Sequence, residues 1–159
     1  MKLSHLDESG RARMVDVGDK PTSRRTAVAD GMVRMSHEAF EQVREARIAK
    51  GDVLTVAELA GILGAKRTGE LIPLCHPLGL DVVRVEAQLD ASLPGVRVTA
   101  TAATEARTGV EMEALTAVAV ACLTIYDMAK AADREMTIER IRLLSKTGGS
   151  RGNWHRSKD

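Results

Sequence analysis

The chain has 159 residues, 44% of them apolar and 28% charged, which is the composition of one globular domain with a real core. Its formal net charge is +1, so no global field attracts nucleic acid or membrane, and any anion site must be a local cluster. One Phe, one Tyr and one Trp argue against the stacking platforms of single-strand-binding proteins.

The pattern of the chain favours an intracellular setting. The first eight residues are polar and contain no apolar segment typical of a secretory signal. No apolar run approaches the roughly 20 residues that cross a bilayer. Cys75 and Cys122 lie far apart in apolar contexts, which favours two reduced thiols over a disulfide. We therefore expect a cytoplasmic protein.

The N-terminal segment predicts an arm followed by a strand. Residues 1–23 are polar and charged and are expected to form an extended, mobile arm, in which residues 14–17 could be a short strand. Residues 25–35 place small apolar side chains at every second position. That alternation is typical of a strand with one buried face.

Two helices are predicted next. Ser36 is placed to cap a helix over 38–49, which Gly51 would end. A second helix is predicted over 54–66. Its Gly61 and Gly64 would weaken an isolated helix, so they indicate a backbone packed closely against it.

A loop, a hairpin and a final strand can also be read from the pattern. Residues 71–80 contain two prolines and a glycine and cannot form regular helix. Residues 83–89 and 96–102 alternate between apolar and polar side chains on either side of a turn at 92–95, which predicts a hairpin with one buried face. Residues 136–144 are apolar and β-branched enough for a last strand.

The stretch between the hairpin and the last strand, 110–130, predicts the longest helix, and it carries two stripes at three- and four-residue steps. One is an ordinary core stripe, formed by Leu115, Val118, Cys122, Ile125 and Ala129. The other has acid at one end, apolar residues in the middle and an acid–lysine pair at the far end: Glu113, Thr116, Val120, Leu123, Asp127 and Lys130. A purely structural helix has little reason for this second stripe.

The order strand, helices, strand, strand, helix, strand predicts an α+β protein of the ferredoxin-like type. In this split βαβ arrangement the helices cover one face of an antiparallel sheet. We expect one catalytic domain over residues 1–159, with residues 147–159 forming a mobile, glycine-rich tail.

Three lysines beside glycines are candidates for an anion site: Lys50, Lys66 and Lys146. Flexible backbone next to a cation suits phosphate groups, although no Walker motif is present. Each lysine alone is more often a solvated loop residue. Three of them in a near-neutral chain favour one anionic ligand.

Cys75 and His76 lie in an apolar loop between two prolines. A histidine in such a loop commonly has only a structural role, with its side chain packed and its hydrogen bonds satisfied. The alternative interpretation is that His76 binds a ligand or acts in acid–base chemistry. Neither side chain has a further Cys or His at ligand spacing, so we expect no metal site.

The charged ends of the long helix allow two interpretations. Glu111 and Glu113 suit a helix N-terminus, and Asp127 with Lys130 could be a surface pair of little energy. A carboxylate and an ammonium held together can also move protons. Glu113 and Asp127 are about 21 Å apart along the axis, so they cannot meet one small group in the same subunit. Either only one end is catalytic, or a second subunit brings the opposite end of its own helix nearby. The apolar residues between the two ends favour the second option, an isologous dimer.

Long segments of the chain resemble the cyclic pyranopterin monophosphate synthases of molybdenum cofactor biosynthesis. The resemblance covers nearly the whole chain. The strings that carry it are 50–53 (Lys-Gly-Asp-Val), 70–78 (Glu-Leu-Ile-Pro-Leu-Cys-His-Pro-Leu), 108–116 (Thr-Gly-Val-Glu-Met-Glu-Ala-Leu-Thr) and 123–128 (Leu-Thr-Ile-Tyr-Asp-Met).

The resemblance implies a lyase that converts 3′,8-cyclo-7,8-dihydroguanosine 5′-triphosphate into cyclic pyranopterin monophosphate and releases pyrophosphate. It implies a ferredoxin-like subunit in a homohexamer, built as a trimer of dimers with sites at dimer interfaces. No cofactor is implied, although magnesium could accompany the triphosphate. Nucleic acid and membranes are not expected partners.

The resemblance also implies roles for particular residues. Asp127 and Lys130 would be the central acid–base residues. The positions that match substrate-binding sites of the family are Leu74, Cys75, His76, Met112, Glu113, Lys50, Lys66, Glu111 and Lys146. The tail reads Lys-Thr-Gly-Gly-Ser-Arg-Gly, where relatives often have a second lysine after the glycines, which leaves open which tail cation contacts phosphate.

Two other classes of function compete with this interpretation. Ferredoxin-like domains also occur as non-catalytic modules that bind small molecules between subunits, but the internal lysines and the Asp127–Lys130 pair speak against that role. An RNA-binding domain of the same topology would need aromatic residues on the sheet and a basic charge, which this chain lacks.

Overall fold

The computed structural model of the protein describes residues 9–157. In this range a five-stranded antiparallel sheet has the strand order β2-β3-β1-β4-β5. The elements in chain order are β1 (Ser23–Arg34), α1 (His37–Arg44), α2 (Val53–Lys66), α3 (Thr68–Leu71), β2 (Val82–Asp90), β3 (Gly95–Ala106), α4 (Glu111–Ala129), β4 (Thr137–Thr147) and β5 (Trp154–His155).

The first four strands and the helices between them form the predicted ferredoxin-like arrangement. β1 lies between β3 and β4, and α2 and α4 pack together and against the sheet. The helix-facing side of β1 is built from small residues that are almost completely buried, such as Ala27, Ala29 and Val33. At Gly31 a Cβ atom would lie 2.7 Å from Val118, so the glycine lets α4 approach the sheet closely.

α4 is the central helix, and the predicted core stripe is confirmed. Val118, Cys122 and Ile125 are fully buried, and Leu115 is half-buried. Contrary to the sequence expectation, the 19-residue helix is long and apolar enough to cross a membrane by length and composition. The same apolar residues are needed here for packing, because 56% of its most apolar window is buried inside the protein.

The predicted close packing at the two helix glycines is also confirmed. A Cβ atom at Gly61 would lie 2.9 Å from the carbonyl oxygen of Ala117, and one at Gly64 would lie 2.7 Å from Val120. Both neighbours are on α4. The two glycines lower the helix propensity of α2, but their missing Cβ atoms allow α2 and α4 to pack closely.

Four local features differ from the sequence prediction. α1 ends at Arg44 rather than at 49, because the chain reverses through Ala46 in the left-handed region. Residues 14–17 are irregular, and α3 forms between the second predicted helix and the predicted 71–80 loop, where no element was expected. The predicted mobile arm lies partly outside the described residues. The tail contains β5, which pairs with the end of β4.

Ala46 permits a stability prediction. Its φ is +53°, and the amide of Arg47 donates to the carbonyl of Gln42, which completes a Schellman motif after α1. Ala46→Gly removes the Cβ strain and should raise the free energy of unfolding by about 0.5–1 kcal/mol. Denaturant unfolding measures this. Ala49→Gly, an exposed position without positive φ, is the control and should give no gain.

Candidate functional site

A cavity of about 350 Å³ opens where the arm, the 74–78 loop, the start of α4 and the end of β4 meet. Its size suits a small-molecule ligand. Seven of the predicted site residues line it: Leu74, Cys75, His76, Glu111, Met112, Glu113 and Lys146. The structure thus brings together three sequence segments that lie far apart in the chain.

The wall of this cavity is strongly cationic. Five basic side chains face two carboxylates, a local excess of +3 with the histidine neutral in a chain whose total is +1. Such a concentration of charge suits a polyanionic ligand. The basic residues are Lys20, Arg25, Arg107, Lys146 and Arg151.

Glu113 is the unusual acid of the cavity, because only 4% of the residue is exposed. Burial raises the pKa of its carboxyl group, and the nearby charge of Glu111 adds to the rise, while its own backbone N–H opposes it. Burial, followed by the charge of Glu113, also raises the pKa of the Cys75 thiol. Glu113 is therefore suited to hold or deliver a proton, and Cys75 is suited to remain a thiol.

His76 is oriented by the N-terminal arm. Its Nε2 lies 2.8 Å from the carbonyl oxygen of Val15. A carbonyl can only accept, so Nε2 carries hydrogen and donates, and Nδ1 of the neutral ring is left as an acceptor. The contact fixes the tautomer and attaches the arm to the 74–78 loop.

Two of the basic side chains in the cavity are held by protein groups. Lys146 Nζ lies 3.8 Å from Glu111 Oε1. Arg25 donates from Nε to the carbonyl of Ala106 at 3.1 Å and more weakly to that of Arg107. These contacts position both cations on the cavity wall.

A second cluster lies at the other end of α4. Asp127 receives hydrogen bonds from Lys130 Nζ at 2.7 Å and from Lys50 Nζ at 2.6 Å, and Lys50 also donates to the Asp127 carbonyl. Lys130, and then Lys50, lower the pKa of Asp127 to about 2. All three side chains are about half-exposed, so the cluster is accessible.

The low pKa refines the chemistry available to this cluster. At neutral pH the Asp127 carboxylate is ionised and accepts two hydrogen bonds, so it orients the ammonium groups of Lys50 and Lys130. Lys50 was predicted only as a phosphate-binding lysine. The geometry makes it the third member of the Asp127 cluster.

The nine predicted binding residues and the acid–base pair therefore separate into three places. The cavity and the Asp127 cluster lie at opposite ends of α4, about 21 Å apart along the axis. Lys66, at the end of α2, is exposed and belongs to neither group. Within one subunit, the cavity and the cluster do not form one site.

Sequence reasoning missed three of the five basic residues of the cavity, and for Arg151 it left open whether this tail cation contacts phosphate. Arg25 and Arg107 lie near the paired ends of β1 and β3, Lys20 lies in the arm, and Arg151 lies in the tail. The sequence marked these residues only as basic side chains beside a strand end or a glycine. Such residues are common, and only the pairing of the strands shows which of them lie together.

No metal centre is formed by the described part of the chain. Within residues 9–157 no group of three or more His, Cys, Asp or Glu side chains could hold a metal ion.

The fold and the site define a ferredoxin-like α+β protein with a cationic small-molecule cavity and a lysine–carboxylate cluster on its central helix. The chain belongs to the MoaC family, whose family model matches residues 14–149.

Relatives named cyclic pyranopterin monophosphate synthase match nearly the full chain. The protein from Methylobacterium sp. (strain 4-46) is 60% identical over 152 residues, which is 96% of this chain and 95% of the relative. That from Cereibacter sphaeroides is 61% identical over 155 residues, 98% of both chains. That from Thermomicrobium roseum is 58% identical over 158 residues, 99% of this chain and 95% of the relative.

Proposed function

We propose that this protein is a cyclic pyranopterin monophosphate synthase of molybdenum cofactor biosynthesis. It converts 3′,8-cyclo-7,8-dihydroguanosine 5′-triphosphate into cyclic pyranopterin monophosphate and releases pyrophosphate. The observation that carries the proposal is the cationic cavity beside a buried glutamate, in a chain about 60% identical to synthases of that name.

The cavity supplies what the release of pyrophosphate requires. Negative charge accumulates on the departing phosphates, and basic groups already in place stabilise it without reorganisation. Lys146 and Arg25 are held in the wall for this purpose. Lys66, exposed at the end of α2, is assigned to phosphate only from the family motif.

Rearrangement of the purine-derived ring requires proton transfers, and two groups of residues are suited to them. Glu113 is buried with a raised pKa, which suits it to exchange a proton with a bound substrate. Lys130 and Lys50 carry protons beside the ionised Asp127. We assign proton transfer to Glu113 and the lysines, and orientation of the lysines to Asp127.

A complete site then requires a second subunit. Large apolar side chains are exposed on the packed helices α2 and α4, with Leu123 at 59%, Leu59 at 58% and Leu63 at 57% exposure. Large apolar residues exposed together are typical of interfaces. We infer a homo-oligomer, a hexamer built as a trimer of dimers, in which Asp127 of one subunit serves the cavity of another.

The proposal places the enzyme in the cytoplasm and assigns it no resident cofactor. Magnesium, where it takes part, would arrive with the triphosphate, because Mg²⁺ is commonly bound through substrate phosphates.

The deciding experiment supplies the cyclo-nucleotide triphosphate to the purified protein. We expect stoichiometric release of pyrophosphate and formation of a pterin that becomes fluorescent after oxidation. Adding EDTA in a parallel reaction tests the role of magnesium, and light scattering gives the oligomer mass. Tight binding of the triphosphate without pyrophosphate release would instead favour a non-catalytic binding module.

A further inference from the structure

The C-terminal tail folds back onto the sheet beside the cavity. β5 pairs with the end of β4, with Trp154 opposite Lys146 and His155 opposite Ser145. The Arg156 amide donates to the carbonyl of Leu144 at 2.8 Å, and its guanidinium lies 6.0 Å from the centre of the Trp154 ring. These contacts hold residues 154–156 against the end of β4.

The loop between β4 and β5 is shaped by three glycines. Gly148, Gly149 and Gly152 have φ values of +87°, +83° and +67°, which side-chain-bearing residues rarely adopt. A Cβ atom at Gly148 would collide with the backbone of Arg24, and one at Gly149 with the guanidinium of Arg25. The loop therefore lies directly against the cationic wall of the cavity.

Arg151 is carried into the cavity wall by this loop. Within residues 9–157 its side chain makes no hydrogen bond or ion pair, in contrast to Lys146 and Arg25 in the same wall. An arginine lining a cavity with an excess of +3 experiences repulsion that an anion would relieve. Its donors are free for a ligand.

We propose that Arg151, held in place by the pairing of β5 with β4, binds the pyrophosphate portion of a phosphorylated ligand. The guanidinium fork matches two phosphate oxygens, and Ser150, which also lines the cavity, adds a hydroxyl donor. This inference rests on the proposed function for the identity of the ligand. The anion site itself depends only on the geometry of the tail.

Inorganic pyrophosphate is the probe, and Trp154 is the reporter because it is the only tryptophan and lies opposite Lys146. We expect pyrophosphate to change Trp154 fluorescence in the native protein, with its affinity measured independently by calorimetry. Arg151→Ala should weaken binding about 10- to 100-fold and reduce the salt dependence, since a hydrogen bond to a charged group is lost. Arg151→Lys should recover part of the affinity.

Arg84→Ala is the matched control, because Arg84 is exposed on β2 and does not line the cavity. It should bind pyrophosphate as the native protein does. In turnover, Arg151→Ala should raise KM for the triphosphate more than it lowers kcat.

Equal pyrophosphate affinity in Arg151→Ala and Arg84→Ala would overturn the inference, even if the protein turns over the triphosphate. A protein that releases no pyrophosphate from the triphosphate, yet loses pyrophosphate affinity on Arg151→Ala, would refute the proposed function and leave this anion site standing.

Discussion

Replacing Asp127 or Lys130 with alanine is expected to abolish turnover, with a fall in kcat of about 10²–10⁴-fold or more, while the fold remains intact. Asp127 holds the ammonium groups of Lys130 and Lys50 in place, so its loss releases both lysines. The side chains are about half-exposed, so little packing is lost. Steady-state pyrophosphate release measures the activity, and circular dichroism checks the fold.

A second helical ion pair of the same i,i+3 spacing serves as the control. Glu41 and Arg44 pair on the surface of α1 with similar exposure, so Glu41→Ala removes a comparable contact at a pair that belongs to neither the cavity nor the Asp127 cluster. It should retain native activity. Native-like turnover in Asp127→Ala or Lys130→Ala would refute the role assigned to the cluster.

Subunit mixing tests whether the two ends of α4 meet across an interface. Glu113→Gln and Asp127→Asn proteins should each be inactive alone. If a site combines Glu113 of one subunit with Asp127 of its partner, each mixed dimer has one site free of both substitutions. Random reassociation should then restore about a quarter of native activity. No recovery after verified subunit exchange would show that each site lies within one chain.

Glu113→Gln is expected to remove activity while it increases stability at neutral pH. Glutamine cannot deliver a proton, so kcat should fall about 10²-fold or more. Glutamine keeps the shape of the side chain and carries no charge into the buried position. Loss of function with gain of stability is typical of a strained catalytic residue.

The pH dependence of stability follows from the direction in which the pKa of Glu113 is shifted. Burial raises this pKa above its ordinary value of 4.5, so the folded state binds more protons than the unfolded state in the window just above 4.5. Native stability therefore falls as pH rises through that window and stays lower above it. The Glu113→Gln protein does not lose stability in this way. The difference between its free energy of unfolding and that of the native protein should therefore grow from pH 4 to pH 7, as measured by denaturant unfolding.

Glu86→Gln, an exposed change on β2, is the control and should follow the native pH profile. A Glu113→Gln protein that is less stable than the native protein at pH 7 would contradict the account of Glu113 as a buried acid with a raised pKa.

The architecture was largely predictable because its signals are local and periodic. The alternation in residues 83–89 and 96–102 predicted β2 and β3, and the three- and four-residue steps of 110–130 predicted α4. The predicted end of α1 was wrong because an alanine gives no sequence signal for a helix C-terminus, although Ala46 adopts a conformation that is typical of glycine. β5 was missed because two residues leave no period to detect.

The candidate site was only partly predictable, for a different reason. The motifs that resemble the family named Glu113, His76 and Lys146, and the structure places all three in one cavity. Arg25 carried no motif, and the tail string left open whether Arg151 contacts a ligand. Both line the same cavity only because β1, β4 and the tail are neighbours in the sheet. Spatial neighbours from distant segments cannot be deduced from residue spacing.

The sequence alone determined the α+β class, the central helix with its second stripe, and the family, because each depends on residue order along one segment. Only the tertiary structure decided that Glu113 is buried, that Asp127 is held by two lysines, and that the tail returns to the cavity wall. Burial and ion pairing depend on which segments pack together. Those contacts arise from the whole sheet and its helices, and no single stretch of sequence contains them.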